Sequence, residues 1–105
     1  MASGTIPKTD GFKYITSISA GSSKTVNIPA SSFHIVLFHG AYASKMGLLF
    51  VGADSARNVN YTTITLGSSI TITTGTGTIT VQNGVSGSAN VRSMTIQGED
   101  ITAAT

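Results

Sequence analysis

Apolar and polar residues alternate along most of the chain with a period of two. This period places successive side chains on opposite faces of an extended strand, whereas a helix needs apolar residues three and four apart. No segment of ten or more residues keeps the helical spacing. We therefore predict eight strands bounded by turn residues, at about Phe12–Ile18, Lys24–Ile28, Phe33–His39, Gly47–Val51, Val59–Leu66, Ser69–Thr73, Thr78–Val81 and Asn90–Ile96.

Two of these strands, Phe33–His39 and Gly47–Val51, are almost continuously apolar, which is typical of central strands covered on both faces. The clearest local pattern is the hairpin of the sixth and seventh strands, which turns at Gly75-Thr76-Gly77. Its isoleucines and Val81 share one face and its threonines share the other, where a water-ordering, ice-binding array is an alternative to a plain solvated face. Short strands at this spacing predict an all-β antiparallel sandwich of jelly-roll type.

Composition narrows the class of protein. Gly, Ser and Thr number 12, 14 and 16 of the 105 residues, charged residues make up only 10%, and the mean hydropathy is +0.24. The apolar residues recur with a regular period and many are β-branched, and together with the positive mean hydropathy this favours a folded domain over disorder. We predict a linker over residues 1–11, a single β-sandwich over 12–105, and a chain excised from a longer polypeptide.

Charge, hydropathy and cysteine content exclude nucleic-acid binding, membrane insertion and disulfide bonds. The net charge of +2 is too small for a protein that tracks nucleic-acid phosphates. The longest apolar stretch is too short for membrane insertion, and the polar N-terminus does not resemble a signal peptide. The absence of cysteine excludes disulfides, so oligomerisation is the expected support for a thin core.

Catalytic chemistry has no local signature. His34 and His39 lie five residues apart on one strand, so their side chains point to opposite faces and cannot share a metal ion. Neither a G-x-S-x-G nor an H-E-x-x-H motif occurs, and only four carboxylates are available for acid–base work. We predict no catalytic residues, no metal and no cofactor, and therefore no enzyme.

One loop combines groups suited to sugar recognition. Asp54–Asn58 brings a carboxylate, a guanidinium and an amide together, and Tyr42 and Tyr61 are expected on nearby elements. The predicted ligand-binding residues are Tyr42, Asp54, Arg57 and Asn58. The alternative is a solvated loop in which Asp54 makes a turn bond and pairs with Arg57.

The chain as a whole resembles the small C-terminal β domains of tailed-bacteriophage fibre and receptor-binding proteins. The resemblance rests on the Gly4–Phe12 entry, Lys24–Pro29, Phe33–Phe38, Leu48–Val51, the Ser69–Val81 hairpin and the closing strand into Ile96. It implies a trimeric fibre-tip sandwich that binds a host surface glycan or protein. It transfers no functional residues, because these modules share no binding motif that matches this chain.

The expected function is thus a phage virion module, a tail-fibre tip that forms a homotrimer and attaches to the host surface. Its expected location is the virion, after assembly in the host cytoplasm. The alternatives are a purely structural decoration or tail protein, a bacterial adhesin or carbohydrate-binding module, and last a small β-fold enzyme.

Overall fold

The computed structural model describes residues 11–104 and contains nine strands. The alternating, β-branched segments form the strands, and glycine- and serine-rich segments form the turns between them. A 3₁₀ turn, Ala43–Lys45, lies in the connection between the third and fourth strands. The strands are β1 (Lys13–Ile18), β2 (Ser23–Asn27), β3 (Ser32–His39), β4 (Gly47–Ala53), β5 (Val59–Leu66), β6 (Ile70–Gly75), β7 (Thr78–Asn83), β8 (Ala89–Gln97) and β9 (Thr102–Ala103).

The strands form two antiparallel sheets. The five-stranded sheet has the order β1-β8-β3-β4-β5, and the four-stranded sheet has the order β6-β7-β2-β9. Placing β8 between β1 and β3 while β7 pairs with β2 gives the interleaved order of a jelly roll, and β3 to β5 follow one another as a meander. The predicted all-β antiparallel sandwich is confirmed.

The core lies between the sheets. Inward residues alternate with outward ones on β3, where Val36 and Phe38 are buried and Ile35 and Leu37 are half-buried. The hairpin prediction holds, since Ile70, Ile79 and Val81 all face the core. A cavity of about 10 Å³ between the sheets is no larger than a water molecule requires. This cavity is too small to hold a ligand.

The strand predictions hold within two residues, with two differences. β9 was not predicted; it pairs with β2 next to the buried Ile101. The prediction that β3 and β4 are covered on both faces is wrong, because the second sheet covers only their inner face. Their outward residues form the outer face of the five-stranded sheet, on which Phe33 is 40% exposed.

The loops gather at two ends of the sandwich. The connections after β2, β4, β6 and β8 lie at one end, called here the Asp54 end, and those after β1, β3, β5 and β7 lie at the other, the His39 end. Residues 1–10 of the predicted linker lie outside the described residues. No helix in residues 11–104 is long and apolar enough to cross a membrane.

Candidate functional site

An open groove of about 480 Å³ lies on the outer face near the Asp54 end. Its floor carries Phe33 from β3 and Phe50 from β4, whose rings stack with centroids 6.0 Å apart and planes 28° apart. The register pairs Phe33 with Gly52, and the missing side chain at Gly52 leaves room for the ring. The polar residues Asp54, Asn58, Asn60 and Thr62 also line this feature, called here the aromatic groove.

The predicted loop forms one wall of the groove. Asp54 Oδ1 accepts hydrogen bonds from the backbone N–H groups of Ala56 and Asn58, both at 2.9 Å, and Oδ2 accepts one from Asn58 Nδ2 at 3.0 Å. These bonds, above all the one from the Asn58 side chain, hold the pKa of Asp54 below its ordinary value. The carboxylate shapes the loop, and Asn58 keeps its amide oxygen available to a ligand.

The Arg57 guanidinium does not pair with the Asp54 carboxylate, although the Arg57 backbone N–H donates to the Asp54 carbonyl at 3.0 Å. Its Nη2 donates to the carbonyl of Gly77 at 2.9 Å and its Nε to the carbonyl of Ile28 at 3.3 Å. Both carbonyls belong to segments that border the four-stranded sheet, so the side chain fastens the β4–β5 loop across the end of the sandwich. Arg57, one of the predicted ligand-binding residues, therefore has a structural role: its two side-chain hydrogen bonds, called here the Arg57 clamp, hold the loop in place.

The predicted tyrosines lie away from the groove floor. Tyr42 lies in the loop after β3 at the His39 end, 55% exposed and close to Gly87. The seven residues of β4 separate it from Asp54, a span of about 20 Å. Tyr61 borders the groove but pairs with the buried Val51, so its ring leaves the opposite face from Phe50.

The groove offers free hydrogen-bonding groups beside an aromatic surface. Asn60 and Thr62 are exposed, and their side chains make no hydrogen bond to any other residue in the described range. Both lie on β5, directly opposite Gly52 and Phe50 of β4. Rings that pack on the apolar face of a sugar, next to amides and hydroxyls that bind its hydroxyls, suit a glycan ligand.

The two histidines point to opposite faces, as their spacing predicts. His34 is fully buried, with Nδ1 3.0 Å from Thr95 Oγ1 and Nε2 2.8 Å from Ser32 Oγ. Burial lowers the pKa of His34, and the nearby Asp100 carboxylate opposes this effect. His39 faces outward and contacts Arg92. No group of three or more potential metal ligands occurs in residues 11–104.

Sequence reasoning missed the main groove residues: Phe33, Phe50, Asn60 and Thr62. Period-two alternation alone puts Phe33 on the face opposite the buried His34 and Val36. The alternation does not predict that β3 pairs with β4 and β4 with β5, and these pairings bring the four residues together.

Comparisons with known proteins give one structural likeness. No protein-family model matches the chain, and no curated protein gives a significant match. A similar solved structure is the tailspike protein gp49 from Acinetobacter baumannii bacteriophage Fri1, a capsular polysaccharide depolymerase, with a TM-score of 0.64 and 15% sequence identity. The likeness covers 96% of this chain and 21% of the tailspike, so the chain spans about a fifth of that protein's length.

This likeness corrects one prediction. The inference that the chain is not an enzyme is contradicted, because the same fold occurs within a polysaccharide depolymerase. The inference relied on missing local motifs and on the small number of carboxylates. Carboxylates that cleave sugars can come from distant loops, and such an arrangement leaves no motif in the sequence.

Proposed function

We propose that this chain is a module of a phage tail protein that attaches to polysaccharide on the bacterial surface, with the glycan lying in the aromatic groove. The observation that carries the proposal is the stacked Phe33–Phe50 pair beside the unbonded side chains of Asn60 and Thr62. An aromatic surface in an open groove on the outside of the sandwich fits a long polymer better than a small molecule.

The tailspike likeness supports this class of ligand. That protein acts on capsular polysaccharide, and a surface polymer of this kind presents many sugar rings to an open groove. We further propose that the chain acts as part of the virion and as a homotrimer. Size-exclusion chromatography with light scattering tests the trimer, which would have a mass near three times 10.7 kDa.

Binding to purified capsular polysaccharides, measured by biolayer interferometry, tests the groove. Phe33→Ala and Asn60→Ala should each weaken binding, Phe33→Ala by about tenfold, because it removes half of the stacked surface. Reducing ends released from the same polysaccharides are measured in parallel, since the related fold belongs to a depolymerase.

Tyr42→Ala is the matched control, because it removes an exposed aromatic ring at the opposite end of β4. Thermal unfolding verifies that each variant is folded. Equal losses for Tyr42→Ala and Phe33→Ala, or no loss for Phe33→Ala, would place the binding surface elsewhere.

A further inference from the structure

Arg92 lies on the outer face of the five-stranded sheet, outside the aromatic groove. The register pairs it with Tyr14 of β1 on one side and Leu37 of β3 on the other. Its Nε donates a hydrogen bond to His39 Nε2 at 3.0 Å, and its guanidinium carbon lies 5.6 Å from the centroid of the Tyr14 ring. The guanidinium is therefore held from two sides by neighbouring strands.

The two Nη groups of this guanidinium have no hydrogen-bond partner among the described residues, and the only salt bridge there joins Lys13 to Asp100. The Asp54 carboxylate is likewise occupied, within its own loop. Arg92 has no carboxylate partner among residues 11–104 and is fixed by its neighbours, so it has little side-chain entropy left to lose on binding an anion.

His39 helps to hold Arg92 without competing for its ligand. Its Nε2 accepts the hydrogen bond from Arg92, so this nitrogen is occupied by the guanidinium and offers no contact to a ligand. Tyr14 is 54% exposed and adds an aromatic surface on which a sugar ring can pack beside the charge.

We propose that Arg92, held by His39 and Tyr14, binds the carboxylate of an acidic sugar, so that the polysaccharide ligand contains uronic acid or a similar carboxylated residue. This inference rests on the proposed function. Arginine binds a carboxylate through two parallel hydrogen bonds, and the two free Nη groups supply donors for this. Leu37, which neighbours Arg92, lies four residues from Phe33 along β3, about 13 Å, so one glycan chain can reach both sites.

NMR titration with α-1,4-linked hexagalacturonate tests the site, and its carboxyl-reduced form serves as the uncharged match. The acidic hexamer should shift the signals of the Arg92 Nε–H and the His39 ring, whereas the reduced hexamer should leave them unchanged. Arg92→Gln should remove the response and lower affinity for the acidic hexamer by about tenfold, which corresponds to one charge-assisted contact. Arg92→Lys should retain only part of the affinity for the acidic hexamer, because an ammonium cannot form two parallel hydrogen bonds to one carboxylate in the way that a guanidinium does.

Lys24→Gln is the control, because it removes the same charge from the four-stranded sheet. If both hexamers shift only groove residues such as Phe33 and Asn60, or if Lys24→Gln matches Arg92→Gln, the acidic-sugar site is refuted and the groove proposal stands. If neither hexamer shifts any signal, the acidic-sugar site is also refuted. The capsular polysaccharide assay above then decides the proposed function separately.

Discussion

Arg57 and Gly77 should be energetically coupled, because the Arg57 guanidinium packs directly on the Gly77 backbone. A methyl group added at Gly77 would overlap this guanidinium, and Gly77 also has a positive φ of 65°. The Gly77 carbonyl accepts hydrogen bonds from both Arg57 Nη2 and the backbone N–H of Ile28. A double-mutant cycle over Arg57→Ala and Gly77→Ala measures how much of the clamp depends on this contact.

The structure sets the expected magnitudes. Arg57→Ala loses two charge-assisted hydrogen bonds, of which the one to Ile28 is long at 3.3 Å, so we expect a cost of about 2 kcal/mol. Gly77→Ala adds about 1 kcal/mol of left-handed backbone strain. It also displaces the guanidinium and so loses the same bonds, for a total of about 3 kcal/mol. The double variant should then cost about 3 kcal/mol, whereas independent effects would give about 5 kcal/mol.

Urea unfolding followed by far-ultraviolet circular dichroism provides the four free energies of unfolding. Equal m-values across the variants show that the transitions can be compared. Free energies that add to within about 0.5 kcal/mol would refute the contact between the guanidinium and Gly77 as the source of the clamp.

Two further predictions concern buried polar groups. Lys45 is fully buried, and its Nζ donates to Asn83 Oδ1 at 2.8 Å and to the Gly84 carbonyl at 3.4 Å. Asn83→Ala leaves Nζ only the longer bond, so it should destabilise the protein by about 3 kcal/mol and Lys45→Met by less; urea unfolding showing the reverse order would contradict this. Burial lowers the pKa of His34, so the unfolded chain binds a proton at a pH where the folded protein does not. The free energy of unfolding should therefore fall as the pH drops below 6.5, by at most about 1.4 kcal/mol per pH unit, and a pH series in which His34→Gln keeps the same slope would exclude this residue as the cause.

The strands could be predicted closely because their information is local. Alternation and turn residues place β5 at Val59–Leu66, the same bounds that the structure gives. β9 could not be predicted because its two residues, Thr102–Ala103, are too few to show an alternation of apolar and polar side chains. It forms because β2 offers an unpaired edge and Ile101 fills the adjacent core, and neither fact can be deduced from the tail alone.

The candidate site could be predicted only in part, because it depends on which loops share an end of the sandwich. Asp54 and Asn58 are close in sequence and form the turn bond that the alternative of a solvated loop predicted. Tyr42 was predicted to join them because of its residue type, but the strand order places its loop at the His39 end. The role of Arg57 depends on carbonyls that are distant in sequence, those of Ile28 and Gly77.

The error over β3 and β4 has a physical cause that bears on function. A continuous apolar strand has the same sequence whether its second face packs on another layer or remains available to a ligand. In residues 11–104 no third layer covers the outer face, and Phe33 and Phe50 lie on it while no charged side chain separates them. Exposed aromatic side chains that lie together on a sheet face are typical of a surface that binds a partner. The polysaccharide proposed as the ligand would be such a partner, with its sugar rings on the phenylalanines and its hydroxyls at Asn60 and Thr62.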